Sequence, residues 1–269
     1  MQPATYLDHT VRLERLVTEL RSDLGRPVSL GEMGEIAAMS PFHLTRVVRE
    51  RTGMPPVALH GAFRLQEAKR LLLATDATVT DACFAVGFSS LGSFSSRFTS
   101  QVGATPSEFK RSPTVVDGHA DRLLAVADLR PCSPPLGGIA GEVIGEGVGD
   151  GLIFIGVFPA AIARGVPICG DVLSRPGRFA IPNVPDGRYM LLVACLPSAR
   201  TPVDWVMPDI ETRVGAAGPI TVRDGRAARR VTVPLRRREP WDPPVLLSMM
   251  ATPRVVEMSE RKLLRLRGA

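Results

Sequence analysis

What the chain lacks narrows its possible functions. No apolar run approaches the ~18 residues needed to span a membrane, and Met1–Asp8 has no basic start leading into an apolar stretch. Neither a membrane anchor nor a secretion signal is therefore expected. Cysteine is scarce and scattered: Cys83, Cys132, Cys169 and Cys195 contain no C-x-x-C pair. That argues against a zinc cluster or a disulfide framework and fits a reducing cytoplasm. His9, His43, His60 and His119 are the only histidines; none stands in an H-E-x-x-H setting, and no G-x-S-x-G occurs. Hydrolase and metalloenzyme readings lack support, so the expectation is a non-enzyme with no cofactor and no metal. Positive charge is not massed in residues 1–112. The net charge is +6, of which residues 1–112 contribute +2 and the remainder +4. A pI of about 9.7 suits a polyanionic partner, but any nucleic-acid role has to be argued from pattern.

What is present divides into two grammars. With 269 residues and 45% hydrophobic content, the chain can build two cores. Residues 6–111 carry apolar side chains at helical spacing. Leu13, Leu16, Val17 and Leu20 predict a helix over Tyr6–Leu24 that stops at Gly25, and Pro56–Ala74 is the longest helical run. From Pro113 onward proline and glycine become frequent and short apolar runs appear. Strands are expected at Ile139–Ile144, Leu152–Phe158, Arg178–Ile181, Tyr189–Cys195, Pro219–Val222 and Arg230–Leu235. The Arg-Pro-Cys-Ser-Pro-Pro stretch, Arg130–Pro135, reads as linker. The expected fold class is α + β and multidomain. It comprises an N-terminal all-α double helix-turn-helix domain (6–112), a linker (113–135), a C-terminal antiparallel β-sandwich (136–238) and a tail (239–269).

The helical half repeats itself. Ser29-Leu-Gly-Glu32 is an S-x-x-E capping box, and Thr78-Val-Thr-Asp81 offers a similar helix start 49 residues later. Leu44, Val48, Gly53 and Pro56 match Phe94, Phe98, Gly103 and Pro106 at a displacement of 50, so the second unit has one extra residue before its second helix. Each unit is a short capped helix, a turn (Met39-Ser40 or Gly87-Phe88-Ser89-Ser90), and a second helix stopped by Gly53 or Gly103. Such a pair is a helix-turn-helix, whose second helix enters the major groove. A rigid Pro56–Ala74 helix would hold the two units on successive groove faces, roughly 34 Å apart.

Ala85-Val-Gly-Phe-Ser-Ser-Leu-Gly-Ser-Phe-Ser-Ser-Arg-Phe98, followed by Gly103-Ala-Thr-Pro-Ser-Glu-Phe109, closely resembles the signature of the AraC/XylS family of transcriptional regulators. Ile36–Arg49 with Thr52-Gly53 fits the family's first unit, and Arg64–Leu72 resembles its R-x-x-x-A-x-x-L-L connecting helix. Two departures stand out. Cys83 replaces the signature's first alanine, a small-for-small change. Ser96 stands where members often carry arginine, and Arg97, one residue on, is rotated about 100° around the helix axis. The resemblance implies double-stranded promoter or operator DNA and RNA polymerase as partners, no membrane, and a cytoplasmic, nucleoid-associated location.

On the first recognition helix, Leu44, Val47 and Val48 form the apolar side, leaving Phe42, Thr45, Arg46 and Arg49 outward. Arg46 is the strongest base reader, since arginine can bond guanine O6 and N7 together, and Thr45 and Phe42 suit a thymine methyl. On the second helix Gly92, Ser93 and Ser96 are the expected base-reading residues. Ser40, His43, Arg49, Ser90, Ser95, Arg97 and Thr99 are expected to contact backbone or to play mixed roles. Because the second set is mostly small, readout is expected chiefly from the first unit. Met33, Ile36, Cys83 and Val86 are expected in the core.

In the second half, Gly177–Val193 places two alternating segments around Pro185-Asp-Gly187, which reads as two antiparallel strands joined by a turn. The pattern resembles carboxypeptidase regulatory-like, transthyretin-like domains, which are usually non-catalytic. Effector sensing and self-association or protein contact stand as equal alternatives for it. Glu257–Arg267 is a candidate short helix, and Arg236-Arg-Arg238 a basic run open to phosphate or to solvent. An architectural DNA-binding protein and an Ada-type alkyl-DNA repair protein remain as alternatives. The second is disfavoured because Cys132 lies in Pro-Cys-Ser-Pro, without the Pro-Cys-His-Arg motif of the methyl acceptor.

Overall fold

The computed structural model describes residues 3–117, 138–145, 151–163, 165–197 and 212–246. Cys132, Arg130–Pro135 and the candidate helix at Glu257–Arg267 lie outside them. By mutual contact the chain forms two units. Met1–Phe98 groups with Glu239–Leu246, and Thr99–Arg238 forms the body of the other, with the division falling inside a helix.

Seven helices come first: α1 (Pro3–Ser22), α2 (Leu30–Ile36), α3 (Pro41–Thr52), α4 (Pro56–Ala74), α5 (Val79–Ala85), α6 (Leu91–Val102) and α7 (Pro106–Asp117). Local chemistry explains most of their ends. Both capping boxes form. The Ser29 hydroxyl accepts from the Glu32 amide while Glu32 accepts from the Ser29 amide, and Thr78 and Asp81 do the same. A third reciprocal pair, Thr105 and Glu108, starts α7. Its T-x-x-E pattern was readable in the sequence. Gly53 (φ 74°) and Gly103 (φ 87°) end α3 and α6 in the left-handed region, as their position in the repeat predicts. Helix α7 continues to Asp117, five residues into the stretch expected as linker. No helix among the described residues is long and apolar enough to cross a membrane.

The repeat extends to the backbone of the two turns. Ala38 (φ 49°) and Gly87 (φ 76°), 49 residues apart, are both left-handed. Each turn closes with the same bond pair: Ala38 N–H to Glu35 O and Met39 N–H to Gly34 O, then Gly87 N–H to Phe84 O and Phe88 N–H to Cys83 O.

The rest of the described chain is β-rich. Its strands are β1 (Ile139–Ile144), β2 (Gly151–Phe158), β3 (Cys169–Leu173), β4 (Gly177–Ile181), β5 (Gly187–Pro197), β6 (Arg213–Arg223), β7 (Arg226–Ala227), β8 (Val231–Pro234) and β9 (Arg236–Arg237). One sheet has the order β4-β1-β8 and the other β3-β2-β5-β6-β7, with β9 also on β6. A single apolar core takes Ile139 and Val143 from β1, Phe179 and Ile181 from β4, Ile153, Ile155 and Val157 from β2, and Leu191 and Val193 from β5.

Two expectations are corrected here. The β region is not wholly antiparallel, because β1 pairs with β8 in parallel, Gly141 opposite Val231. Nor do the two segments around Pro185-Asp-Gly187 pair with each other. Strand β4 pairs with β1 and β5 with β2 and β6, so the stretch between them carries the chain from one sheet to the other. Alternation marks a strand with one face buried, but it does not say which strand lies alongside.

Candidate nucleic-acid interface

The exposed face of α3 is built by its buried one. Leu44, Val47 and Val48 are fully buried, so the intervening positions turn outward. Ser40 caps the helix, accepting from the His43 amide at 3.3 Å. Phe42 is 83% exposed. Transfer data assign an apolar cost to so much phenyl surface in water, and a base methyl or sugar would relieve it. Arg46 is exposed, and its Nη1 lies 3.1 Å from Glu50 Oε1 one turn later, while Nη2 is 3.5 Å from His43 Nδ1. An exposed pair of this kind stabilises by at most about 1 kcal/mol, so Glu50 holds Arg46 weakly and leaves it available. The Thr45 hydroxyl donates back to the Pro41 carbonyl at 2.8 Å, and Arg49 is exposed.

His43 is more tightly engaged than the sequence suggests. Its Nε2 lies 3.2 Å from Nε2 of His9 on α1, and the rings meet edge-on at 5.1 Å. Burial, then the neighbouring His43, pulls the His9 imidazole below its ordinary value. His43 thus fastens α3 to α1.

In the second unit Phe94 and Phe98 are fully buried; the Phe94 ring meets Phe88 edge-on at 5.3 Å and Phe98 at a tilt at 5.6 Å. The aromatic cluster turns Gly92, Ser93 and Ser96 outward, all exposed. Ser90 caps the helix: its hydroxyl accepts from the Ser93 amide at 3.3 Å and donates to the Ser93 hydroxyl at 2.8 Å. A Cβ built on Gly92 meets nothing within 4 Å, so close approach of another molecule is unobstructed there. Ser95 and Thr99 are half-buried. Arg97 is exposed but sits beside α4: a Cβ on Gly61 would lie 3.6 Å from its Nη1. That is off the side of Ser96, as the 100° rotation predicts.

Helix α4 carries the residues that hold the two units. Arg64 donates to the carbonyls of Leu24 (2.8 Å) and Gly25 (3.2 Å), tying α4 to the turn after α1. This gives the connecting-helix arginine a structural reason. Lys69 is fully buried, and its Nζ donates to the Leu246 carbonyl at 3.0 Å, with that of Val245 at 3.5 Å. Burial pulls its ammonium down to about 7. Trp241 and Asp242 are buried in the same unit, and the Arg51 guanidinium, at the end of α3, lies 5.9 Å from the Trp241 ring. Sequence reading missed this contribution of Glu239–Leu246. The only local signal was an isolated tryptophan in a proline-bearing tail. Cys83 is buried with its thiol raised by desolvation, which makes it a packing residue. Met33 and Val86 are buried and Ile36 half-buried.

Residues 33–112 match the family described as "Helix-turn-helix domain". The chain is 30% identical over 112 residues to the HTH-type transcriptional activator AarP of Providencia stuartii, covering 42% of this chain and 81% of that protein. It is 30% identical over 96 residues to the HTH-type transcriptional regulator GlxA of Rhizobium meliloti, covering 36% of this chain and 30% of GlxA. It is also 33% identical over 84 residues to the bifunctional transcriptional activator/DNA repair enzyme Ada of Escherichia coli, covering 31% of this chain and 23% of Ada. The chain belongs to the AraC family of helix-turn-helix proteins. It spans well under half the length of GlxA and of Ada.

Proposed function

We propose that the protein is a sequence-specific, DNA-binding transcriptional regulator that reads successive major grooves with α3 and α6. The observation that carries this reading is the duplicated pair of helix-turn-helix units. Both have the same left-handed turn and the same bond pattern, and both have second helices whose outward faces are free of apolar packing. Arg46 reads guanine, with Phe42 and Thr45 on a neighbouring thymine methyl. Gly92, Ser93 and Ser96 let the second helix approach closely while reading little. Ser40, Arg49, Ser90, Ser95, Arg97 and Thr99 contribute phosphate contacts or position those that do, and His43 orients α3 through His9. Double-stranded operator DNA is the partner, with RNA polymerase the second partner of an activator.

The β region is proposed as a sandwich, supported by the core that strands of both sheets share. Its resemblance to transthyretin-like modules supports a binding or scaffolding role over catalysis. A small-molecule effector and a protein partner both fit that role. The alkyl-transfer activity of an Ada-type protein is not proposed, since Cys132 lacks the His-Arg that follows a methyl-accepting cysteine.

The test is selection of bound sequences from a random duplex pool by the full chain at physiological salt, repeated with Arg46→Ala. Wild-type protein should enrich one motif spanning two major-groove faces, and the variant should lose discrimination at one position by about 1–3 kcal/mol. No enrichment by the wild type, with binding that only falls as salt rises, would leave a nonspecific architectural protein.

A further inference from the structure

The positive charge of this protein is not where its helix-turn-helix units are. Residues 213–238 hold eight arginines, no lysine and one acidic residue, Asp224, a formal +7. The whole chain carries +6, so everything else together sums to −1. Duplex DNA presents one negative charge per ~1.7 Å of axis, and phosphate neutralisation dominates its affinity for proteins. Residues 1–112, at +2, supply little of that term.

The fold places part of this charge on neighbouring strands. Arg223 on β6 stands directly opposite Arg226 on β7, and Arg188 on β5 stands opposite Thr221, one diagonal step from Arg223. Val222 and Tyr189 are buried in the core, so Arg188, Thr221 and Arg223 project from the outward face. Strands lie about 4.8 Å apart, which puts three arginine-bearing positions on adjacent strands of one face. Arg229 and Arg230, exposed, follow in the connection to β8. Like charges directly opposite each other destabilise a sheet. Asp186, at this end of the unit, accepts from the Asp224 amide (3.1 Å) and the Gly225 amide (2.8 Å), so its carboxylate is engaged in closing the β6–β7 turn. Among the described residues, none of Arg188, Arg223, Arg226, Arg229 and Arg230 forms an ion pair within 4.0 Å.

We propose that the arginine face of Arg188, Arg223 and Arg226, with Arg229 and Arg230 in the connection that follows it, binds the phosphate backbone of duplex DNA flanking the site read by α3 and α6. The proposal rests on the DNA-binding reading above. A phosphate between Arg223 and Arg226 turns their repulsion into two charge-assisted hydrogen bonds. The use of arginine alone suits the forked geometry of phosphate oxygens. Once the helical unit is on DNA, the second contact is intramolecular and works at a high effective concentration. The helical unit then specifies and the β unit supplies much of the affinity.

The test compares the full chain with a variant carrying Arg223→Gln, Arg226→Gln, Arg229→Gln and Arg230→Gln, on the selected operator and a scrambled duplex across a salt series. The expected result is a slope of log K against log salt shallower by about three to four, with affinity lost equally on both duplexes and sequence preference unchanged. A quadruple Lys variant should recover most of the slope. A Gln variant with wild-type slope and affinity would overturn the proposal, while loss of preference in Arg46→Ala would show that the DNA-binding reading survives it. Wild-type protein without sequence preference would instead be a failure of that reading. A Gln variant that binds DNA normally but no longer binds poly-glutamate would reassign the face to an acidic polypeptide. Should the variant misfold, arginine modification by phenylglyoxal on wild-type protein decides: operator DNA should protect Arg223, Arg226, Arg229 and Arg230, and unchanged reactivity refutes the contact.

Discussion

Gly87→Ala should cost the protein about 3–4 kcal/mol, far more than one methyl group suggests. Gly87 closes the second helix-turn-helix turn at φ 76°, and left-handed backbone costs a non-glycine residue about 1–2 kcal/mol. Conformation alone is survivable, since Ala38 sits at φ 49° in the equivalent turn of the first unit. The difference lies in the surroundings. A Cβ at Gly87 would overlap both the carbonyl oxygen of Gly25 and the guanidinium of Arg64. The first is backbone and cannot swing aside. Moving the second breaks its bonds to Leu24 and Gly25, and a hydrogen bond to a charged group contributes about 1.5–3 kcal/mol. Strain plus the weakened Arg64 bonds gives the stated range. The assay is chemical denaturation of the full chain, with hydrogen exchange locating the loss to α4 and α5. Ala38→Gly is the control and should change stability by less than about 1 kcal/mol. A Gly87→Ala loss under 1 kcal/mol, or one equal to the control, would refute the clash and leave Gly87 as a turn residue only.

Three further outcomes follow from the buried polar and aromatic groups. The unfolded chain keeps the Lys69 proton up to about 10.5, whereas the folded protein releases it above about 7. The unfolded state therefore binds more protons in that window, and stability should rise with pH across it. Lys69→Met should remove the rise, and parallel denaturation curves for variant and wild type would refute it. His60 is pushed down to about 4, first by burial and then by Arg64 and Arg26, so the folded protein should lose stability as pH falls from about 6.5 toward 4. His60→Gln should flatten that limb in an acid titration followed by circular dichroism, and an unchanged limb would refute the assignment. Trp241→Ala should destabilise by about 3–5 kcal/mol, with faster hydrogen exchange in α3 and α4. Faster exchange confined to the β strands would show that Glu239–Leu246 does not support the helices.

Much of the helical half was legible in the sequence because its determinants are local. The Ser29/Glu32 and Thr78/Asp81 boxes satisfy amides three residues away, and Gly53 and Gly103 stop helices through their own φ. The 3.6-residue period placed Leu44, Val47, Val48, Phe94 and Phe98 in the core, and so turned Phe42, Arg46, Gly92 and Ser96 outward. The bounds of α4 were readable from Pro56 and the end of its apolar pattern. Strand β3 was not foreseen, since Cys169-Gly-Asp-Val-Leu173 breaks alternation with a glycine and an aspartate.

Tertiary structure decided whatever depends on residues distant in the chain. It set β4 and β5 in different sheets and made β1 and β8 parallel, because pairing depends on long-range register. It fastened His43 to His9, packed Glu239–Leu246 with the helices, and put Arg97 beside Gly61. The sequence by itself determined the capped and glycine-stopped helix ends of the repeat and which faces those helices hide, since each of those choices is made within one or two turns of chain. Only the packed structure decided which side chains meet, because that follows from burying apolar faces that lie tens to hundreds of residues apart.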